Sequence, residues 1–241
     1  MIRILLTLLA VGLLAHFSFA KDGDHEKINE MVKNLRWTGQ AGVKIYAGDK
    51  IIYIDPLQLN GDDKADIIFI THDHYDHLSE DDINKILDKN TIMVAPKSCK
   101  TAVQNFDVAE LILLEPGDDQ KIGEISVKAV PAYNIKKTKF HPKNNNWLGY
   151  IFTIDGVRIY HAGDTERIPE MKKFACDIAL LPLGQTYTMN SVEEAADAAL
   201  DVGAKIAIPI HFGLYEGTQE DAEKFKTLLK DKIEVIILKS S

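Results

Sequence analysis

Apolar residues along this chain come mostly in short β-rich runs, set apart by turn residues and by stretches with helical spacing. Val43–Tyr46 and Ile51–Ile54 flank Gly48-Asp49-Lys50, which predicts a hairpin. Pro56 closes its second strand, because proline cannot continue a ladder. Ile67–Ile70, Thr91–Ala95 and Leu111–Leu114 read as strands, with a short helix over Lys97–Asn105. Ser79 followed three residues later by Asp82 resembles a capping box and opens a helix to about Lys89. Gly123–Val130 alternates and predicts a half-exposed strand. A second hairpin is expected from Trp147–Ile154 and Val157–His161 across Asp155-Gly156, a strong turn pair. After it come a buried strand at Asp177–Leu181 and a helix from Ser191, with Glu194 completing a capping box, to about Val202. Strand Lys205–Ile210, helix Thr218–Leu229 and strand Ile233–Leu238 end the chain. Each half starts with hairpins and passes into strand–helix alternation. That order predicts an α/β fold with two mixed sheets and helices on their outer faces. No repeat and no long linker interrupts it, so one domain is expected from about residue 24 to 241.

The first twenty residues follow a different pattern. Arg3 precedes an almost unbroken apolar stretch from Ile4 to Phe17, and Ser18-Phe19-Ala20 offers small residues at a cleavage site. The pattern predicts a signal peptide over residues 1–20 and an exported protein, periplasmic or secreted, with no stable membrane span after cleavage. Removing Arg3 takes the formal charge from −8 to −9. A field of that sign attracts neither nucleic acid nor anionic lipid, so a small-molecule substrate is the expected partner and no nucleic acid is expected. Oligomeric state leaves no trace in the sequence. The two cysteines, Cys99 and Cys176, are too few for a disulfide scaffold and are expected as buried thiols.

The chemistry concentrates in Thr71-His-Asp-His-Tyr-Asp-His-Leu78. Three of the eight histidines, His72, His74 and His77, fall there with Asp76, directly after a strand. Imidazole nitrogen and carboxylate oxygen suit zinc and similar ions, and a catalytic ion needs about three protein ligands plus an open position. Three other strands also end in ligand-type residues: Asp55, Asp164 and His211. Strand ends hold side chains rigidly while leaving them accessible.

His72-x-His74-x-Asp76-His77, with Asp164 and His211 downstream in that order, resembles the metallo-β-lactamase superfamily. The likeness runs from Asp55 to His211, nearly the whole chain after the leader. It implies a four-layer αβ/βα sandwich and one or two divalent ions, most often zinc, with manganese or iron also accepted by such ligands. It further implies that His72 and His74 bind a first ion, and that Asp76, His77 and His211 bind a second. Asp164 would bridge the two ions, and Asp55 would orient the ligands from behind. Asp-His-Leu-Ser and Tyr-His-Ala-Gly-Asp-Thr look like the branch of metal-dependent hydrolases related to L-ascorbate-6-phosphate lactonase and N-acyl-phosphatidylethanolamine phospholipase D.

One position departs from the pattern. Where the superfamily supplies a third histidine to the first ion, this chain reads Pro131-Ala-Tyr-Asn134. Asn134 is a weak ligand, and His141 in the next loop is the candidate to replace it. The expected activity is hydrolysis of an ester, lactone or phosphodiester by hydroxide generated at the metal. Asp76 would relay the proton and Tyr133 would donate to the developing oxyanion. The alternative, motivated by the missing histidine, is an exported metal-binding protein with a degenerate, non-catalytic site. Substrate selection is expected in the loop from Asn134 to Asn146, where Lys136, Lys137, Lys139 and Lys143 form a basic stretch.

Overall fold

The computed structural model describes residues 25–61 and 63–240; the leader expected at residues 1–20 lies outside them. The chain divides into two compact units after Asn34. The first contributes helix α1, residues 25–33. The unit that carries the site begins at Leu35.

That second unit holds two sheets. The first has the order β1 (Leu35–Gly39), β2 (Gly42–Ala47), β3 (Lys50–Ile54), β4 (Ile67–Phe69), β5 (Ile92–Pro96) and β6 (Glu110–Leu114). Its first two pairings are antiparallel and the rest parallel. The second sheet contains β7 (Asp119–Ile122), β8 (Ile125–Pro131), β9 (Leu148–Ile154), β10 (Val157–His161), β11 (Ile178–Pro182), β12 (Ile206–Ile210) and β13 (Glu234–Val235), side by side in sequence order. Pairing is antiparallel up to β10 and parallel beyond it. Parallel neighbours need crossovers. Helices α2 (Glu80–Ile86), α3 (Lys100–Val103), α4 (Val192–Asp201) and α5 (Gln219–Leu229) lie in four of them.

Side-chain alternation decides which face packs where. Phe69 of β4 points between the sheets and meets Tyr150 and Phe152 of β9 edge-on, at 5.2 and 4.8 Å between ring centroids. The Tyr150 hydroxyl donates to the Ile70 carbonyl at 2.7 Å, a further tie between the sheets. Ile68 and Ile70 point the other way and pack with Ile83 and Ile86 of α2 and Val103 of α3. Buried on both faces, β4 has to be apolar throughout, which is why Ile67–Ile70 reads as an unbroken run. On the second sheet, α4 sets its buried Val192, Ala195, Ala196, Ala198 and Ala199 against β11 and α5. The layers are those the resemblance implies, two sheets with helices on their outer faces.

The differences from expectation are local. Strands β1 and β7 did not stand out in the sequence. Each is an edge strand, and β7 is largely polar, so neither carries a two-faced apolar signal. Strand β13, the opposite edge, is shorter than Ile233–Leu238. Helix α2 stops at Ile86, short of Lys89. At Asp155-Gly156 both φ angles are positive, 51° and 81°, as a tight hairpin turn requires. Both cysteines are free and buried.

Candidate metal centre

The histidine loop follows β4 and is held by its own backbone. The N–H groups of His77 and Leu78 both donate to the His74 carbonyl, at 3.0 and 2.9 Å, closing one tight turn. At its base, Asp55 accepts from Thr71 N at 2.8 Å and Thr71 Oγ1 at 2.6 Å. The end of β3 thereby fixes the end of β4.

Three groups of ligand-type side chains converge, with their ligand atoms within 4.8 Å of one another: His72, His74 and His141; His72, His77 and Asp164; Asp76, His77 and His211. Asp164 sits where the groups meet. Its Oδ1 lies 3.4 Å from His77 Nε2 and 3.2 Å from His211 Nε2, while its Oδ2 lies 3.2 Å from His141 Nε2. One carboxylate oxygen thus faces each of two potential ion positions. His72 Nε2 and His74 Nδ1 approach to 3.0 Å.

The loop histidine, His141, takes the corner that Asn134 would have filled. Asn134 holds it there: its backbone N–H donates to the His141 carbonyl at 2.8 Å, and its side-chain Nδ2 lies 3.2 Å from His141 Nδ1. His141 Nδ1 also meets the Tyr187 carbonyl at 3.1 Å, which leaves Nε2 aimed at the centre. The same arrangement recurs around the cluster. His72 Nδ1 meets Thr71 Oγ1 at 3.0 Å, His77 Nδ1 meets Asp55 at 2.8 Å, and His211 Nδ1 lies 3.0 Å from Glu216 Oε1. An outer partner on one ring nitrogen fixes the orientation of the other, as ligand histidines require. Trp147 packs its ring 4.8 Å from both His72 and His74.

Two contributors lay beyond sequence reasoning. Glu216 comes from the turn after β12, where its Oε2 also accepts from the backbone N–H groups of Thr186 and Tyr187 at 2.8 and 2.7 Å. Gln40 lies between β1 and β2, buried, with Nε2 2.8 Å from His211 Nε2 and 3.0 Å from Asp76 Oδ2. Backbone strain is the signal that would have marked it. Among the described residues six non-glycine residues have positive φ, and three of them, Gln40, Asp55 and His211, stand at this cluster. Such strain gathers where a fold must aim side chains. His161 is structural: its Nε2 meets the Ala41 carbonyl at 2.8 Å.

Tyr133 corrects the sequence reading. Its hydroxyl donates to Glu170 Oε2 at 2.9 Å and accepts from Lys143 Nζ at 3.1 Å. It lines a separate cavity with Lys143 and Glu170, so it is not placed to meet an oxyanion at the cluster. Asp55 is likewise no direct participant; it is fully buried behind His77.

The electrostatics favour a cation. Burial pushes His72 well below the ordinary imidazole pKa, and the neighbouring His77 adds to the effect, so His72 is neutral with a free lone pair. Burial also lowers His74. For His77 burial opposes the charged form, but the carboxylates of Asp164 and Asp55 outweigh it and hold the ring well above its usual value. His211 is raised to about 9 in the same way, against burial, by Asp164 and Glu216. Burial would raise Asp164, yet His211 and His77 keep it well below the carboxylate range. These carboxylates demand positive charge among the imidazoles, which a divalent ion supplies in place of protons. Three buried atoms aimed inward, His77 Nε2, His141 Nε2 and Asp164 Oδ1, make no aligned hydrogen bond. Orphaned ligand atoms around one centre fit a metal ion.

A cleft of about 320 Å³ opens over the cluster. Its lining is His74, Asp76, His141, Asp164 and His211 below, and Tyr75, Phe140, Tyr187 and Tyr215 above.

Comparison with known proteins agrees with this geometry. The family model for the beta-lactamase superfamily domain matches residues 41–212. The chain belongs to the metallo-β-lactamase superfamily. Within it, the chain is 34% identical over 231 residues to a UPF0173 metal-dependent hydrolase of Thermococcus kodakarensis, covering 86% of this chain and 96% of that protein. A UPF0173 metal-dependent hydrolase of Geobacillus thermodenitrificans is 31% identical, with 81% and 92% covered. A solved structure from Parabacteroides distasonis, provisionally assigned as a metal-dependent hydrolase, is 35% identical with a TM-score of 0.76, covering 85% of this chain and 93% of that one. This superfamily member is accordingly a metal-dependent hydrolase whose His/Asp cluster is able to bind metal.

Proposed function

We propose that the cluster holds two divalent ions, most readily zinc, and hydrolyses an ester, lactone or phosphodiester bond of a small molecule. The observation that carries this reading is Asp164, whose two oxygens face separate groups of imidazoles. His72, His74 and His141 would hold the first ion, and Asp76, His77 and His211 the second. Bound there, such ions lower the pKa of a coordinated water from about 15.7 to about 7 and polarise the bond under attack.

The chain's own residues supply orientation and proton handling. Asp55, Glu216, Thr71 and the Tyr187 carbonyl hold the imidazoles so that few rotamers remain open. Asp76 lines the cleft with 14% of its side chain exposed, whereas Asp164 is only 4% exposed. Asp76 is therefore the carboxylate that can take a proton from the attacking water and return it to the leaving group. The non-catalytic alternative was motivated by a missing third imidazole. His141 at that corner supports the catalytic reading over it.

Metal analysis of the purified protein, followed by turnover of neutral esters, lactones and phosphodiesters, tests the reading. Two equivalents of zinc and metal-dependent turnover support it. Bound metal with no turnover across the panel overturns it. The exported location rests on residues 1–20 alone; a mature N-terminus at Lys21 in a cell-envelope or secreted fraction supports it, and an intact Met1 in the cytosol rejects it.

A further inference from the structure

The upper wall of the cleft narrows the substrate class. Six large hydrophobic residues are exposed among the described residues, and three of them, Tyr75, Tyr187 and Tyr215, line this one cleft. They form two aromatic pairs. Tyr75 and Tyr215 meet edge-on at 5.7 Å, and Tyr187 meets Phe140 edge-on at 4.9 Å. Among the described residues no lysine or arginine lines the cleft. Two lysines of the basic loop, Lys137 and Lys143, are engaged elsewhere, while Lys139 lies against the cleft wall. Lys137 Nζ donates to the carbonyls of Gln185 and Met189 at 3.0 and 2.9 Å, Lys143 pairs with Glu170 at 3.0 Å, and Lys139 lies 4.5 Å over the outer partner ring, Phe140.

We propose that the substrate carries an uncharged planar ring beside the bond that is cut, with the ring seated against these two aromatic pairs. This rests on the hydrolase reading and chooses within it. A ring gains edge and face contacts with four aromatic groups, whatever the charge at the bond that is cut. A cavity of about 320 Å³ suits one ring and a short acyl group. With an ester or lactone of this kind, a water oxygen bonds to the acyl carbon, the acyl–oxygen bond breaks, and the water's proton passes to the departing alkoxide.

The test uses the zinc-loaded protein and two matched pairs: N-benzylacetamide against N-butylacetamide for binding, and benzyl acetate against butyl acetate for turnover. The benzyl compounds are expected to be favoured about tenfold in both measurements. The Tyr187→Leu, Tyr215→Leu double variant should erase the preference while keeping its zinc. Equal binding of the two amides overturns the proposal. Ring-selective binding without turnover of either ester would sink the hydrolase reading and leave the ring site standing. Turnover of both esters without ring preference would do the reverse.

A second inference rests on Gln40. It is 1% exposed, has φ of 48°, and its Oε1 has no hydrogen-bond partner while Nε2 sits among ligand atoms of the second group. A half-turn of the amide exchanges the two atoms. We infer that Gln40 turns Oε1 toward the second ion when that ion is bound, as an uncharged ligand. Zinc titration of the apoprotein, read by calorimetry with a competing chelator, tests this. Gln40→Ala should weaken the second binding event about 10–100-fold and leave the first unchanged, and Gln40→Glu should restore or tighten it. Unchanged affinities in Gln40→Ala, or equal weakening of both events, overturn the assignment.

Discussion

His141 Nε2 lies 3.2 Å from Asp164 Oδ2, although 23 residues of chain separate them and His141 comes from a loop rather than a strand end. That contact makes the first group of imidazoles complete. His141→Ala is therefore expected to lower bound zinc from two equivalents to one and to cut kcat/KM at least 100-fold, comparable to losing a positioned catalytic group. Elemental analysis and steady-state kinetics check this; a variant with two equivalents and full activity would remove His141 from the site.

Asp55 touches His77 directly, and its carboxylate also receives the Thr71 N–H and the hydroxyl that meets His72. Asp55→Asn keeps the shape but loses the charge facing the ring. Zinc affinity at the second position should fall about 10–100-fold, the usual cost of losing an outer partner. Competition with a chelator measures it.

Glu216 reaches His211 across Gly184, and a Cβ on that glycine would sit 1.6 Å from Glu216 Oε1. No shift of a few tenths of an ångström relieves such a contact. Gly184→Ala should displace Glu216, free His211 to rotate, and weaken the second ion while β11 and β12 stay folded. Circular dichroism with a zinc titration separates these effects; normal zinc affinity in a folded variant would refute the role given to Glu216.

Asp82 sits away from the metal yet ties α2 to the loop after β3. Its carboxylate accepts from the backbone N–H groups of Gln58 and Leu59 at 2.8 and 3.0 Å and pairs with Lys85 at 2.8 Å. Burial would raise its pKa, but Lys85, Ser79 and the two backbone donors hold it below 3.8. A carboxylate depressed on folding stabilises the protein above its unfolded pKa, and that contribution disappears as pH falls through the lower folded value. Stability should thus decline in acid below about pH 4. Asp82→Asn should cost about 1–3 kcal/mol at neutral pH and flatten the acid dependence, as urea titrations at several pH values would show. An unchanged acid slope would contradict the assignment.

Removing metal should also loosen the fold, because the orphaned ligand atoms and buried like charges at the centre lose their counter-ion. With free zinc at about 100 times Kd, binding adds about 2.7 kcal/mol, so chelation should lower Tm by roughly 5–10 °C. A Tm insensitive to chelator would argue against a coupled site.

The sequence alone determined the interior strands, the hairpins at Gly48-Asp49-Lys50 and Asp155-Gly156, the N-terminus of each long helix and most of the side chains that converge at the cluster. Those signals are local: an apolar strand buried on both faces, a turn pair that tolerates positive φ, and histidines crowded into one loop. Even so, helix capping was only partly legible. The full reciprocal box forms at Thr218 and Asp221, while Asp82 turns its carboxylate to another segment and Glu194 turns its own to Asn190. What tertiary structure decided was which distant atoms share a centre. His141, Glu216 and Gln40 reach the cluster from three separate loops, and Tyr133, beside Asn134 in the chain, turns away from it toward Glu170. No periodicity records such meetings, because they depend on how two sheets stack and where their loops meet at one edge. A side chain's partners across that edge are a property of packing, and packing is settled only when the whole chain is folded.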